Sequence, residues 1–363
     1  MFTPERLVLA RKRRRMTLAE LARRSGISAQ SITAFENHRK VPSSETLSLL
    51  SLALSYPTAF FEAPRPAEVE LDSVSFRAPS KMSAIERDSA LSSGALAMAL
   101  NSWLEGLFKL PSSNLPTYPH VEPEEAAERI RAAWGLGEDP IPNMVHLLEA
   151  NGVRLFSLPP DCLDIDAFST INSTTSFIFL NTRKTGERGR FDAAHELGHL
   201  LLHCEHRIPH GRDSESEAND FASAFLMPRA GIIAQRLHNA STDRILSAKC
   251  KWGVSAMALT YRLHRLGLLS EWRYNQTVKE LSHRGYRRGE PDSSMVRESS
   301  QLLAKVFEAL RHSLKMTSGD IAAKLNIYPE ELNEYVFGLV PIRIDGGREH
   351  SAPLRPELRL VHG

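Results

Sequence analysis

The stretch Phe191-Asp-Ala-Ala-His-Glu-Leu-Gly-His-Leu-Leu-Leu-His203 constrains this chain more than any other. Its apolar positions, Phe191, Ala193, Ala194, Leu197, Leu200 and Leu201, suit a buried helix. Residues four apart share a helix face, so His195 and His199 can offer two imidazoles to one metal ion, with Glu196 on its open side. Two buried imidazoles beside a carboxylate need compensation, and a zinc ion supplies it. The competing reading is a metal-free core helix.

Catalytic zinc takes three protein ligands and keeps a position for water. A metzincin would need Gly at 202 and His at 205, where this chain has Leu202 and Glu205. A gluzincin takes a Glu from a downstream helix, and the run Ser216 to Phe225 is such a helix, with Ala218, Phe221, Ala222 and Phe225 as its apolar stripe. Glu217, four residues before Phe221, is the preferred third ligand; Glu215, three before Ala218, is the alternative. Both could also be solvated acids favoured by the dipole at a helix start.

Charge is unevenly spread. The chain has 363 residues and a net charge of +2, yet residues 1–40 hold ten Lys/Arg against three Asp/Glu. A basic module on a near-neutral body calls for a polyanionic partner, with double-stranded DNA first among candidates. Cys162, Cys204 and Cys250 have no paired spacing, which fits a reducing compartment. Arg11 to Arg15 interrupt any leader-like apolar run, and Ala90 to Phe108 carries Asn101 and Glu105. No membrane association and a cytoplasmic location are expected.

The pattern divides the chain into a helical module (1–62), a linker with one long helix (63–122), a mixed domain (123–270) and a helical C-terminal region (271–363). The expected fold class is multidomain and mainly α, with an all-α helix-turn-helix domain followed by an α+β minimal zincin. In the first module Pro4 opens a helix, Thr17 and Glu20 form a capping box, and Ser28 and Ser43/Ser44 cap later helices. The long helix is expected over 80–110, with Leu96, Leu100, Trp103 and Leu107 as its stripe. Strands are expected at 153–157, 165–168 and 176–181, and residues 275–294 read as a linker.

An internal similarity is visible at an offset of 300 residues. Met316-Thr-Ser-Gly-Asp-Ile-Ala-Ala-Lys-Leu-Asn-Ile327 echoes Met16-Thr-Leu-Ala-Glu-Leu-Ala-Arg-Arg-Ser-Gly-Ile27. Residues 300–340 are therefore helix-turn-helix-like, but Glu330, Glu331 and Glu334 would repel phosphates. A packing or dimerisation element is expected there rather than a DNA reader.

The run Arg190 to His203, followed by Glu217-Ala-Asn-Asp-Phe-Ala-Ser-Ala-Phe-Leu-Met-Pro228 and preceded by Phe177-Ile-Phe-Leu-Asn181, resembles the ImmA/IrrE metallopeptidases over roughly residues 120–270. The resemblance implies a minimal gluzincin-like fold, zinc held by His195, His199 and Glu217, and Glu196 as general base. It also implies cleavage of a helix-turn-helix repressor in a stress or mobile-element response. An oxyanion donor is needed, and His203, His206, His210, Tyr261 and His264 stay open. His203 is either a partner of a metal ligand or a helix-end residue; Asp192 either orients His195 or caps the helix. Cys204 is expected to be inert. Strand 176–181, if at an edge, could hold substrate by strand addition.

Residues 5–61 resemble the XRE, or phage-repressor-type, helix-turn-helix domains, through Thr17 to Ser28 and Ser31-Ile-Thr-Ala-Phe-Glu-Asn37. In such domains the third helix enters the major groove, here with Ser28, Ala29, Gln30, Ser31 and Thr33 foremost. Gln30 suits a bidentate contact to adenine, while Arg13, Arg23, Asn37, Arg39 and Lys40 would position phosphates. Glu20 and Glu36 are expected to pair within the module. The alternative is a module kept for protein contact, and a homodimer is possible. The expected function is a DNA-binding regulator fused to a zinc endopeptidase. Alternatives are an antitoxin-like regulator, a factor whose zinc domain senses without cutting, and self-cleavage.

Overall fold

The computed structural model describes residues 1–67, 69, 74–77, 82–162, 164–203 and 212–339. Helices α1 (Pro4–Arg13), α2 (Leu18–Ser25), α3 (Ala29–Glu36) and α4 (Ser44–Leu54) and the short turn Thr58–Glu62 form the N-terminal module. Each start has a local cause: Pro4 leads α1, and the Ser28 and Ser43 hydroxyls accept amides of the first turns of α3 and α4. Thr17 likewise accepts Glu20 N, but the Glu20 carboxylate is taken by Arg23 and Arg24, so the expected capping box is only half formed. Leu7, Leu21, Ile32, Leu50 and Phe60 close the module's core.

Strand β1 (Val74–Arg77) precedes the long helix α5 (Ala84–Glu105), and α6 (Pro123–Ala133) and α7 (Met144–Ala150) lead into β2 (Arg154–Ser157), β3 (Ala167–Asn172) and β4 (Thr175–Leu180). The sheet order is β1-β3-β4-β2, with β2 parallel to β4 and the other pairs antiparallel. Strand β4 is therefore interior, which corrects the reading of 176–181 as a docking edge. The outer side of β3 is covered by β1, a strand whose four residues are too few to stand out in the sequence.

Alternation sorts the sheet into two buried faces. Phe156, Phe168, Phe177 and Phe179 turn toward α5 and the N-terminal module; Leu155, Ala167, Ile178 and Leu180 turn the other way. Phe168 and Phe179 stack with centroids 4.3 Å apart. Gly94 lets α5 approach them: a Cβ there would meet Phe168 Cζ at 3.2 Å. Leu96 and Leu100 are buried in the same cluster, as the expected stripe requires.

Behind the second face lies α8 (Gly186–Leu202), crossed by α9 (Arg212–Leu226). Helices α10 (Arg229–Ile233), α11 (Thr242–Trp252), α12 (Ala256–Arg265) and α13 (Glu271–His283) complete this body. Residues 275–283, expected in a linker, are helical because α13 packs on α11 and α12: Thr242 donates to Glu280, and Leu281 is fully buried. The last helices are α14 (Gln301–His312), α15 (Ser318–Lys324) and α16 (Pro329–Tyr335). Glu149 of α7 accepts the Gln301 and Leu302 amides at the start of α14. Among the described residues no helix is long and apolar enough to cross a membrane.

The repeat-like unit α15–α16 packs back on the module it resembles. Thr317 and Asp320 form a complete capping box. Glu331 receives Arg13, Arg14 and the Tyr56 hydroxyl, and Glu334 receives Arg13. Two of the three acids that would repel DNA, Glu331 and Glu334, are thus partners of the module's own arginines. The chain is a multidomain, mainly α protein, with a small mixed sheet between its helical N-terminus and the body that follows.

Candidate functional site

Helix α8 buries His195, Glu196 and His199 almost completely against β3 and α9. Gly198 makes the crossing close, since a Cβ there would lie 3.0 Å from Phe221 Cδ1 and 3.3 Å from Ala218 Cα. That approach brings Glu215 to the two imidazoles. His195 Nε2 and His199 Nε2 are 3.0 Å apart, and the Glu215 carboxylate lies 3.4 and 3.3 Å from them. One donor atom from each of the three residues falls within 4.8 Å of the others.

The carboxylate beside the imidazoles is Glu215, not the preferred Glu217. Helix α9 begins at Arg212, earlier than the sequence reading had it, so Glu215 sits inside the helix, three residues before the packed Ala218. Glu217 turns to the end of α8, where it lies 2.8 Å from His203 Nε2. The signal available in the sequence is Ala218, three residues after Glu215, whose Cα faces Gly198.

Hydrogen bonds fix how the imidazoles face. His195 Nδ1 is 3.1 Å from Asn219 Oδ1, and Asn219 spends its own amide on Glu215 O at 2.7 Å. His199 Nδ1 is 3.0 Å from His203 Nδ1, and His203 Nε2 faces Glu217. Both amide and carboxylate oxygens only accept, so His195 and His203 are donors at those positions. His203 then accepts at Nδ1, and His199 donates. Each ligand-side Nε2 is left with its lone pair toward the other and toward Glu215.

Such an arrangement calls for a cation. With both Nε2 lone pairs turned inward, no proton bridges the imidazoles and the Glu215 carboxylate, so only a cation offsets the three converging donor atoms. Tetrahedral zinc with ligands near 2.1 Å spaces its donor atoms by about 3.4 Å, which the two imidazoles and the carboxylate nearly match. His195, His199 and Glu215 therefore fit a zinc ion in donor type, spacing and tautomer.

Glu196, one residue from His195, accepts a 2.6 Å hydrogen bond at Oε2 from the fully buried Ser169 hydroxyl of β3. Neither Ser169 nor Asn219 was anticipated; both meet the motif only through the fold. Among the oxyanion candidates, Tyr261 is directed to Asp220 at 3.2 Å. His264 stacks on Tyr274 and pairs with Glu271. His206, His210 and Cys204 lie outside the described residues.

On the N-terminal module Gln30, Asn37, Arg39 and Lys40 are exposed. Ser28 caps α3 through Ser31 N, Thr33 donates to Ala29 O, and Asn37 donates to Thr33 O, so these polar groups also hold the helix. Ser31 is half-buried, with its hydroxyl 2.9 Å from that of Ser28. Glu36 forms the expected intramodule pair, with Arg11 at 2.7 Å. Arg13 corrects its expectation: it is 2 % exposed and committed to Glu331, Glu334 and Asp161, so it does not face DNA.

Comparison with known family models gives two matches. Residues 148–264 match the peptidase family model described as IrrE N-terminal-like domain, and residues 7–61 match a helix-turn-helix model. No curated protein matches the chain.

Proposed function

We propose that this chain, in which an IrrE N-terminal-like peptidase domain follows a helix-turn-helix domain, is a DNA-binding regulator carrying a zinc-dependent endopeptidase whose target is a helix-turn-helix repressor. The observation that carries the enzymatic half is the convergence of the His195 and His199 Nε2 atoms with Glu215, beside Glu196. Zinc, when bound, supplies Lewis acidity that lowers the pKa of a water and polarises a carbonyl.

The chain's own residues do the rest. Asn219 and His203 orient the two imidazoles, and Glu217 anchors His203. The Ser169 hydroxyl pins one oxygen of Glu196, so the carboxylate keeps its direction while it takes a proton from the attacking water. Glu196 then returns that proton to the departing amine. A site that only held metal would not need this carboxylate.

DNA binding is supported by the exposed start of α3 and by Arg39 and Lys40 at its end. Gln30 is the base-reading residue in this proposal, with Ser28, Ser31 and Thr33 at its side and Asn37, Arg39 and Lys40 toward phosphate.

A second reading, a regulator that senses zinc or a ligand without cutting, draws on the shared core. The N-terminal module, α5 and the phenylalanine face of the sheet form one contiguous cluster, a mechanical route from the site to the DNA-facing helix. Expressing wild type and Glu196→Gln in cells and comparing the proteomes separates the two. A repressor that disappears only with wild type supports cleavage; identical proteomes with retained gene regulation favour sensing.

A further inference from the structure

A cleft of about 630 Å³ adjoins the candidate metal centre. Phe191 of α8 and Ser216 and Asn219 of α9 form the wall nearest the centre, and Asn219 is the residue that holds His195. Asn219 is thus shared between the cleft wall and the metal centre. Its volume lies in the range of pockets that enclose ligands the size of a short peptide, roughly 300–1,000 Å³.

The lining is strongly cationic. Arg183, Lys184 and Arg188 come from the approach to α8 and its first turn, and Arg287 and Arg288 from the loop after α13. Lys184 and Arg188 share one acid, Asp166, at 2.8 and 2.6 Å. Arg183 donates to a backbone carbonyl, Pro160 O. No carboxylate among the described residues pairs with Arg287 or Arg288. The lining's own acid, Glu290, is neutralised by Lys249 at 2.8 Å and accepts Ala256 N at 3.1 Å. Glu290 thereby pins the loop across the cleft and leaves the arginine charges uncompensated.

The loop lies outside residues 148–264, the stretch that the peptidase family model matches. A concave cavity ending at Asn219 excludes a duplex, whose phosphates lie on a convex surface. An extended polypeptide lying along the cleft would pass from Asn219 to the arginines that share its lining.

We propose that this cleft is a subsite for an acidic stretch of the polypeptide substrate, beside the scissile bond. The inference rests on the endopeptidase reading. Carboxylate side chains would replace the missing counter-charges, most tightly at the arginines, whose planar forks match them.

The test uses full-length, zinc-loaded Glu196→Gln protein and fluorescein-labelled peptides of alternating Glu-Ala, Ser-Ala or Lys-Ala, read by anisotropy. The acidic peptide is expected to bind at least tenfold more tightly than the neutral one. Arg287→Glu/Arg288→Glu should erase that preference and improve binding of the Lys-Ala peptide, with zinc content and Tm unchanged. Equal affinities for all three peptides, or an acidic preference that survives the charge reversal, would overturn the proposal. So would a single-stranded oligonucleotide of equal charge that binds the cleft more tightly than the peptide. Cleavage assays with wild type separate the two readings: turnover without acidic preference removes only the subsite, whereas arginine-dependent binding with no turnover of any peptide removes only the endopeptidase.

Discussion

Arg13 in the first helix and Glu331 in the last, 318 residues apart in the chain, meet at 3.0 Å with side chains only 2 % and 4 % exposed. Tyr56, Tyr335 and Arg14 complete the cluster. Removing one partner strands a buried charge, which typically costs about 3–5 kcal/mol. Glu331→Ala is therefore expected to lower stability by roughly that amount in a denaturant titration. Pairing it with Arg13→Met should recover part of the loss, because the most deeply buried of the stranded charges, the Arg13 guanidinium, is then removed. A Glu331→Ala protein as stable as wild type would show that the pair does not hold the chain's ends together.

The same carboxylate sets a pH dependence. Burial acts to raise the Glu331 carboxyl, but Arg13 and Arg14 outweigh it and hold the group below its ordinary value of 4.5. A carboxyl depressed in the folded state stabilises above its unfolded pKa, and that contribution is lost as pH falls through the folded value. Tm should thus fall between pH 5 and more acidic conditions by more in wild type than in Glu331→Gln. Parallel Tm curves for the two proteins would remove Glu331 as the cause.

The candidate metal centre makes a sharp distinction between two glutamates two residues apart. Glu215→Ala should abolish stoichiometric zinc binding. Glu217→Ala should keep the metal with affinity reduced about 10- to 100-fold, since it only anchors His203, which in turn orients His199. Metal analysis of both purified variants decides this; zinc lost only from Glu217→Ala would restore the original sequence preference.

Ser169→Ala tests the orientation of Glu196. It removes one buried hydrogen bond without touching the three metal-ligand candidates. Zinc content should be unchanged while kcat falls by about tenfold, equivalent to about 1.4 kcal/mol, with KM little altered. Unchanged kcat would reduce Ser169 to a packing residue.

What the sequence revealed about this site depended on distance along the chain. His195, Glu196 and His199 were legible because one helical turn alone sets their geometry. The third carboxylate was not, because the start of α9 sets its phase and the polar segment before it carries no hydrophobic period. Asn219, Ser169 and the covering strand β1 enter from separate elements, so no local pattern announces them. Arg13 was misread for a related reason: a basic run near a helix-turn-helix suits phosphate, and only the folded acidic helix α16 redirects it. Helix caps and the strands near 153–157 and 176–181 are legible, since hydroxyls before helices and apolar runs act locally; the strand expected at 165–168 instead spans Ala167–Asn172, where pairing with β4 sets its extent.

The DNA-facing helix offers a final prediction with two separable outcomes. Gln30 is exposed at the start of α3, whereas Arg39 and Lys40 lie exposed beyond its end. A base contact carries sequence discrimination, about 1–3 kcal/mol for a bidentate pair, while phosphate contacts carry affinity and salt dependence. After selection of a preferred operator from a random pool, Gln30→Ala should relax discrimination at one adenine and leave the salt slope intact. Arg39→Ala/Lys40→Ala should weaken all sequences alike and flatten the slope of log K against log salt by about two. If Gln30→Ala weakens every sequence equally, base reading belongs elsewhere on α3. If wild-type binding is insensitive to salt, the module's partner is protein rather than DNA.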